Sequence, residues 1–429
     1  MLKLNQINNI SKSLISYDYS CSKEIKKYFT RNKFFVEYLS MDTIEIPNHI
    51  KIIPFLANVA PISWFVGFDI HIEDVDECFY KSLLAVKQEF KKYYPTLIKK
   101  ETQIKYNNLI KTEYNANKSA MLFSGGLDSY TTYFRHCNEN LDLITIHGAD
   151  IAIEDKKQWS NVLSYNENES IIVKNKKFYI ISNIRDFYSF EVDKLLPNLG
   201  WWGQIQHGLA LTAITAPLAF LNGYTNIYIA SSGTRKSGYK TYFWGSMPEI
   251  DNQVTWAKTI VIHDGEELTR QEKIKLVIES TQNSKIKLNL RVCYSENNNN
   301  LNCSNCEKCI RTIFGIMLVG ANPNDYGFNV DTSIYSKVKT IISNGFKTQG
   351  NQLIWKAISD YALSNNYNFF IFGQREFELQ KYKEIIDLLS MQINSDLKKA
   401  TNYQKIKLGV INKYPKIFHK YLMLRKIIK

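Results

Sequence analysis

Two groups of residues in this chain have the types and spacing to do chemistry. One is Ser124-Gly125-Gly126-Leu127-Asp128-Ser129. It follows the apolar run Ala120 to Phe123, and a helical pattern begins at once with Asp128 and Ser129 in its first turn. The segment therefore reads as a strand, a tight glycine turn and a helix start. Glycines there permit positive φ and bring the backbone close to an anion with no Cβ in the way. Backbone N–H groups, two hydroxyls and the positive end of the helix dipole then converge on one spot, which suits a phosphate or pyrophosphate. A Walker loop would add a Lys-Ser/Thr pair and a dinucleotide fingerprint a third glycine; neither is present. The plainer account is a strand-to-helix turn capped by Asp128 or Ser129. It explains neither Ser124 nor the second glycine.

The other group is cysteine. Of the seven in the chain, Cys21, Cys78 and Cys137 are scattered, whereas Cys293, Cys303, Cys306 and Cys309 form one cluster. Two overlapping C-x-x-C knuckles and a fourth thiol from a preceding strand end can enclose a tetrahedral Zn²⁺. Four thiolates leave no open coordination position, so the metal is expected to be structural. It would pin the Asn-rich loop 296–302 against a helix beginning near Cys306. Disulfides compete with this account, but no secretory signal pattern is present and C-x-x-C spacing fits intracellular metal binding better. A redox or iron–sulfur role and incidental thiols stand beside zinc as alternatives.

The glycine run resembles the PP-loop of the N-type ATP pyrophosphatases, and with the cysteine cluster downstream it is similar to their 7-cyano-7-deazaguanine synthase branch, over roughly residues 117–320. The resemblance implies an adenine nucleotide alpha hydrolase-like fold and an ATP-dependent C–N ligase. A carboxylate or amide oxygen would attack the α-phosphate of ATP with Mg²⁺, pyrophosphate would leave, and ammonia or an amine would displace AMP. The small-molecule acid would be a deazapurine or another carboxylate.

Carried onto this chain, the backbone N–H groups of Gly125, Gly126 and Leu127, with the hydroxyls of Ser124 and Ser129, would hold pyrophosphate. Asp128 would hold Mg²⁺ or brace the loop. Arg235 or Lys236 would reach the α- or β-phosphate and neutralise developing charge. His147 and Asp150 would lie beside the adenosine. Solvated loop charge is the plainer account of Arg235 and Lys236, and a core imidazole that of His147. The chain departs from the branch in reading Ile146-His147-Gly148-Ala149-Asp150 where an aromatic-Gly-Gln-Arg-His run is usual, and in the long segments flanking both motifs.

These residues need a scaffold. From Lys118 strand-like and helical stretches alternate, which predicts an α/β fold with a doubly wound parallel sheet. The strands are Ala120 to Phe123, Leu143 to His147, Phe178 to Ser182, Ile227 to Ser231 and Thr259 to His263, with helices from Leu127, from Asp155 and across Gln204 to Asn222. Right-handed crossovers would gather the strand C-termini on one rim, with Ser124 to Ser129, His147 to Asp150, Ser232 to Lys236 and His263 to Glu266. Trp201 and Trp202 read as a stacking floor for a planar substrate or as core, and His207 as structural. Asp251, His263 and Asp264 read as candidate substrate contacts.

Residues 1–115 read as a small N-terminal α/β appendage, with apolar runs at Ile44 to Ile46, Ile52 to Ala57 and Trp64 to Ile72 taken as strands, then a helix from Asp76 to Tyr93. Residues 116–325 form the expected PP-loop domain with its zinc knuckle. Residues 326–429 read as helical, over Lys337 to Ser343, Leu353 to Ser364 and Arg375 to Ile393, before a basic tail.

The apolar and charged fractions, 45% and 22%, are those of an ordinary globular protein. The longest apolar stretch, Leu209 to Leu221, contains a proline and is too short to span a bilayer. The expectation is a cytoplasmic protein with no transmembrane segment. Its net charge of +13 resembles a nucleic-acid signature until it is located, for Lys398 to Lys429 holds ten basic residues and no acidic one. That tail would bind RNA, an acidic partner or an anionic membrane face, or form the solvated face of a docked helix. Kinase motifs are absent. Two other functions fit the same motifs: a tRNA-modifying PP-loop enzyme, by base amidation or by sulfur transfer with Cys137 as the candidate sulfur carrier, and a non-catalytic, zinc-stapled nucleotide sensor.

Overall fold

The computed structural model describes residues 1–98, 100–197, 200–233, 244–284, 287–293, 301–346, 349–367 and 370–392. Arg235, Lys236, residues 296–300 and the basic tail lie outside them. The chain divides into two compact units. One comprises Met1–Leu195, Trp201–Leu268 and Glu279–Arg291, the other Leu196–Gly200, Thr269–Ile278 and the chain from Val292.

The first unit opens with β1 (Leu2–Asn9), β2 (Leu14–Cys21), β3 (Phe35–Tyr38), α1 (Asn48–Lys51), α2 (Ile53–Val66), β4 (Ile70–His71), β5 (Asp74–Asp76), α3 (Glu77–Tyr93), β6 (Ile104–Lys105) and β7 (Asn108–Ile110). It continues through β8 (Lys118–Leu122), α4 (Leu127–Arg135), β9 (Asp142–His147), α5 (Lys156–Asn168), β10 (Lys177–Ser182) and α6 (Phe190–Asp193). A π-helical turn at Trp202–Gln206 leads into α7 (His207–Ala213) and α8 (Ala216–Asn222), then β11 (Tyr224–Ala230), α9 (Pro248–Asp251), β12 (Thr255–Trp256) and β13 (Thr259–Asp264).

One mostly parallel sheet organises this unit, in the order β12-β13-β11-β8-β9-β10-β3-β2-β1-β4-β6. Its middle strands, β13, β11, β8, β9 and β10, are parallel throughout and are the five whose apolar runs stand out in the sequence. Strands buried on both faces carry near-continuous apolar runs, as β8 and β9 do, whereas burial alternates along β10. Consecutive residues of a strand point to opposite faces. On β13 the Asp264 carboxylate accepts from Thr132 Oγ1 of α4 at 2.8 Å, while His263 meets Asp251 of α9.

Residues 1–115, expected as an appendage, extend the same sheet. β3 pairs antiparallel with β10, Tyr38 opposite Ile180, and β2 and β1 follow antiparallel. Of the apolar runs taken as strands, Ile53 to Ala57 and Trp64 to Val66 belong instead to α2, in which every residue from Ile53 to Trp64 is buried, while the end of the Trp64 to Ile72 run does form β4. A helix apolar all round shows no helical period, so its sequence is indistinguishable from buried strand. The helix read from Asp76 is α3, with the Asp76 carboxylate capping it by accepting the Phe79 N–H at 2.9 Å.

The second unit is helical where it is described: the start of α10 (Arg270–Ser284), α11 (Glu307–Leu318), α12 (Ile334–Ser343), α13 (Gln349–Ser364) and α14 (375–392). Gln271 Nε2 of α10 donates to Gly315 O of α11 at 2.7 Å, and Trp355 Nε1 of α13 to Glu307 Oε1 at 2.9 Å. Glu378 is fully buried, yet its carboxylate accepts from the Tyr335 hydroxyl at 2.7 Å and from the N–H groups of Ile371, Phe372 and Gln374 at 3.0, 3.0 and 3.1 Å. Glu378→Ala would strand those donors, and urea titration should show this unit destabilised by about 3 kcal/mol. Among the described residues no helix is long and apolar enough to cross a membrane.

Candidate functional site

The glycine turn stands at the C-terminal end of β8. Gly125 adopts φ +73°, and a Cβ there would lie 2.6 Å from the Tyr165 ring. No other residue fits without displacing that ring. Tyr165 is itself fixed, its hydroxyl 2.7 Å from both the Asn289 carbonyl and the Tyr130 hydroxyl. From the other side the Arg291 N–H donates to Gly125 O at 2.8 Å and its Nη1 to Ser124 O at 3.1 Å.

α4 begins at Leu127 with Gly126 at its N-cap, which offers no side chain. The N–H groups of its first turn have no intrahelical acceptor. Ser129 Oγ donates to Gly126 O at 2.9 Å, and the Gly126 N–H meets Ser124 Oγ at 3.3 Å. Two hydroxyls 3.4 Å apart thus flank the turn, exposed Ser124 on the outside and buried Ser129 beneath. Asp128 is half-buried in the first turn. The structure brings together Ser124, Gly125, Gly126, Leu127, Asp128 and Ser129.

His147 and Asp150 separate in role. The His147 ring is fully buried, stacks on Trp159 at 4.5 Å and lies with Nε2 2.9 Å from the Ala152 carbonyl. The imidazole expected beside a nucleotide is a core group, because α5 brings Trp159 over the end of β9. Burial lowers its pKa, the Ala152 hydrogen bond only partly offsetting this. The unfolded chain therefore binds a proton that the folded chain refuses, and stability is lost as pH falls through the ordinary histidine value of about 6.5. His147→Phe should flatten that acid limb in thermal melts between about pH 7 and 5. Asp150 is exposed just past β9.

Asp264, a candidate contact in sequence, is committed to packing. Besides Thr132 its carboxylate accepts from Arg135 Nε and lies against His136 Nε2, both at 3.1 Å, tying α4 to β13. Trp201 is fully buried with Nε1 donating to Gln206 Oε1 at 2.7 Å, so only half-buried Trp202 is open to a ligand. Cys137 is exposed beyond the far end of α4, a helix length of about 14 Å from the glycine turn.

In the second unit Cys293, Cys303, Cys306 and Cys309 come together with all four Sγ atoms within 4.8 Å of one another. Cys293 to Cys306 and Cys303 to Cys309 each measure 3.9 Å. Four sulfurs bound to Zn²⁺ at ~2.3 Å stand about 3.8 Å apart in a tetrahedron. The knuckle is preorganised by backbone N–H groups aimed at sulfur: Asn305 and Cys306 at 3.4 and 3.2 Å from Cys303 Sγ, and Cys303 at 3.4 Å from Cys293 Sγ. Such donors stabilise thiolate. The Cys306 hydrogen bond, burial and the other sulfurs push the Cys309 thiol far up, a penalty that a bound cation would reverse. Asn302 braces the site, accepting the Val292 N–H at 3.0 Å and donating to Gly327 O at 2.9 Å. These donors fit a structural dication.

No family model, curated protein or solved structure matches this chain. Nothing in the sequence singles out Tyr165 or Arg291 as the residues that shape the glycine turn. The one available signal is that Arg291 precedes Cys293 by two positions, in a segment with no helical or strand period.

Proposed function

We propose that the chain is an ATP-dependent adenylating C–N ligase of the PP-loop ATP pyrophosphatase type, acting on a planar heteroaromatic carboxylate of the deazapurine kind. One observation carries the reading. A positive-φ glycine held between Tyr165 and Arg291 presents an uncapped helix N-terminus and two hydroxyls at the C-terminal end of β8. β8 lies between β9 and β11 and precedes both in the chain, so strand order reverses there. Open α/β sheets bind ligands at such a point, and we read this one as doubly wound.

Mg-ATP supplies the activated phosphorus and the leaving pyrophosphate. The backbone N–H groups of Gly125, Gly126 and Leu127 would hold pyrophosphate with Ser124 and Ser129, and Asp128 would carry Mg²⁺, which favours one or two carboxylates plus phosphate oxygens. Zn²⁺ is assigned to the four cysteines as a structural ion. Arg291 is a nearer cation to the turn than sequence spacing suggests.

Incubated with Mg-ATP, a 7-deazaguanine carboxylate and ammonium chloride, the protein should release AMP and pyrophosphate; ADP instead would reject adenylation. Asp128→Ala should lose turnover at least about 100-fold with its circular dichroism unchanged. Unchanged activity would remove Asp128 from the site. Sulfur transfer to RNA is the weaker reading, since exposed Cys137 stands at the wrong end of α4.

A further inference from the structure

Away from the glycine turn, a second group of polar side chains exceeds what packing requires. His263, near the end of β13, sets Nδ1 2.7 Å from Asp251 Oδ2, and the fully buried Asp251 also takes the Ser246 hydroxyl at 2.7 Å. A carboxylate only accepts, so Nδ1 carries a proton, and in the neutral ring Nε2 is the nitrogen that holds the lone pair. Among the described residues Nε2 makes no hydrogen bond. The ring is fixed from its backbone too, since the His263 N–H donates to Asn252 Oδ1 at 2.8 Å. α7 closes on this pair through Gly208, where a Cβ would stand 1.9 Å from Asp251 Oδ1.

His207, the residue before Gly208, follows the π-helical turn, a feature frequent at functional sites. Its ring lies 5.5 Å from Trp202 and 5.8 Å from Trp244, and its Nδ1 has no partner among the described residues. Burial lowers its pKa, so it stays neutral, with Asp150, Asp251, Arg185 and His263 all within electrostatic reach. Arg185 lies over the Trp202 ring at 5.0 Å and donates to Ala149 O at 2.8 Å. Segments following β9 and β10, the end of β13 and the start of α7 thus converge. The strand register sets His263 beside Ile229, and Tyr228 beside Met121. His263 is therefore level with Leu122, two strand spacings or about 10 Å across the sheet, on the rim that bears Ser124. A His–Asp pair that only joined α9 to β13 would need neither a second imidazole whose Nδ1 makes no hydrogen bond among the described residues nor the stacked guanidinium.

We propose that His263, oriented by Asp251, is the base that takes the proton from the attacking nitrogen in the second half-reaction, where Arg185 and Trp202 receive the planar acid. This rests on the adenylation reading. The lone pair of ammonia forms the C–N bond at the acyl carbon of the adenylate. The C–O bond to the phosphate breaks, AMP leaves with that electron pair, and one N–H proton passes to His263 Nε2 and then to water.

The test uses the full chain, Mg-ATP, a 7-deazaguanine carboxylate and ammonium chloride. Isotope exchange of pyrophosphate into ATP reads the first half-reaction, and the mass of the amide product reads the second. In His263→Gln and in the near-isosteric Asp251→Asn, exchange should stay within about threefold of wild type while amide formation falls about 100-fold or more. Circular dichroism and the melting midpoint show which variants fold, and Asp251→Asn carries the test if His263→Gln does not. Amide formation within threefold of wild type in a folded variant overturns the proposal, as does a parallel fall of exchange and product. Wild-type protein that binds Mg-ATP without exchange on this acid overturns both the acid and the base. Wild-type protein that binds no Mg-ATP overturns the adenylation reading itself.

Discussion

Purified protein should carry one zinc per chain, and stripping it should unfold the second unit while leaving the sheet of the first intact. The four sulfurs already stand at tetrahedral spacing with three N–H groups turned toward them. Binding a dication to such thiolates is worth on the order of 10 kcal/mol in small zinc modules at neutral pH. The ion would act directly on α11, which starts at Cys306 as its N-cap and carries Cys309 in its first turn. Elemental analysis of wild type and Cys306→Ser, followed by hydrogen exchange with and without a chelator, reads both parts. Exchange should accelerate over α11 to α14 and not over β8 to β11. A metal-free chain with equal protection in both conditions would show the cysteines to be incidental thiols.

How far these features were legible follows from what each residue does. β8 and β9 could be read because a parallel strand covered on both faces must be apolar along its length, and β10, β11 and β13 from their Ile, Val, Phe and Tyr. β1 and β2 could not, since Leu2 to Asn9 and Leu14 to Cys21 mix Asn, Gln, Ser and Tyr, with only Leu2 buried in the first and Ile15 and Tyr17 in the second. Only their antiparallel pairing, a contact invisible to local pattern, makes them strands. α2 failed for the opposite reason, its uniform burial erasing the helical period. At the candidate site the glycines and hydroxyls were evident as a local motif. Tyr165 and Arg291, which hold that motif, come from segments far along the chain. Asp251 and His263 stand out in the sequence as polar candidates, but their pairing, and the place of His207 beside them, needs β13, α9 and α7 laid side by side.

Two glycine substitutions should separate the fold of the turn from its proposed function. Gly125→Ala must hold alanine at φ +73° and push a methyl group to 2.6 Å from the Tyr165 ring; the left-handed backbone alone costs roughly 1–2 kcal/mol. It should lower stability and abolish binding of Mg-pyrophosphate together. Gly126 is different. Its φ of −84° and ψ of 171° suit any residue, and the nearest atoms to a new Cβ, Ser124 Oγ and the Arg291 carbonyl, lie at 3.3 and 3.4 Å. Alanine there should be accepted with a melting midpoint close to wild type. The methyl would nevertheless stand beside the Ser124 hydroxyl, where the backbone is proposed to approach pyrophosphate, so calorimetry should find affinity for Mg-pyrophosphate reduced about tenfold or more. If Gly126→Ala binds as tightly as wild type, the turn is only the shortest path from β8 to α4. If it binds weakly while melting normally, the second glycine is there for the ligand, since the fold does not require it.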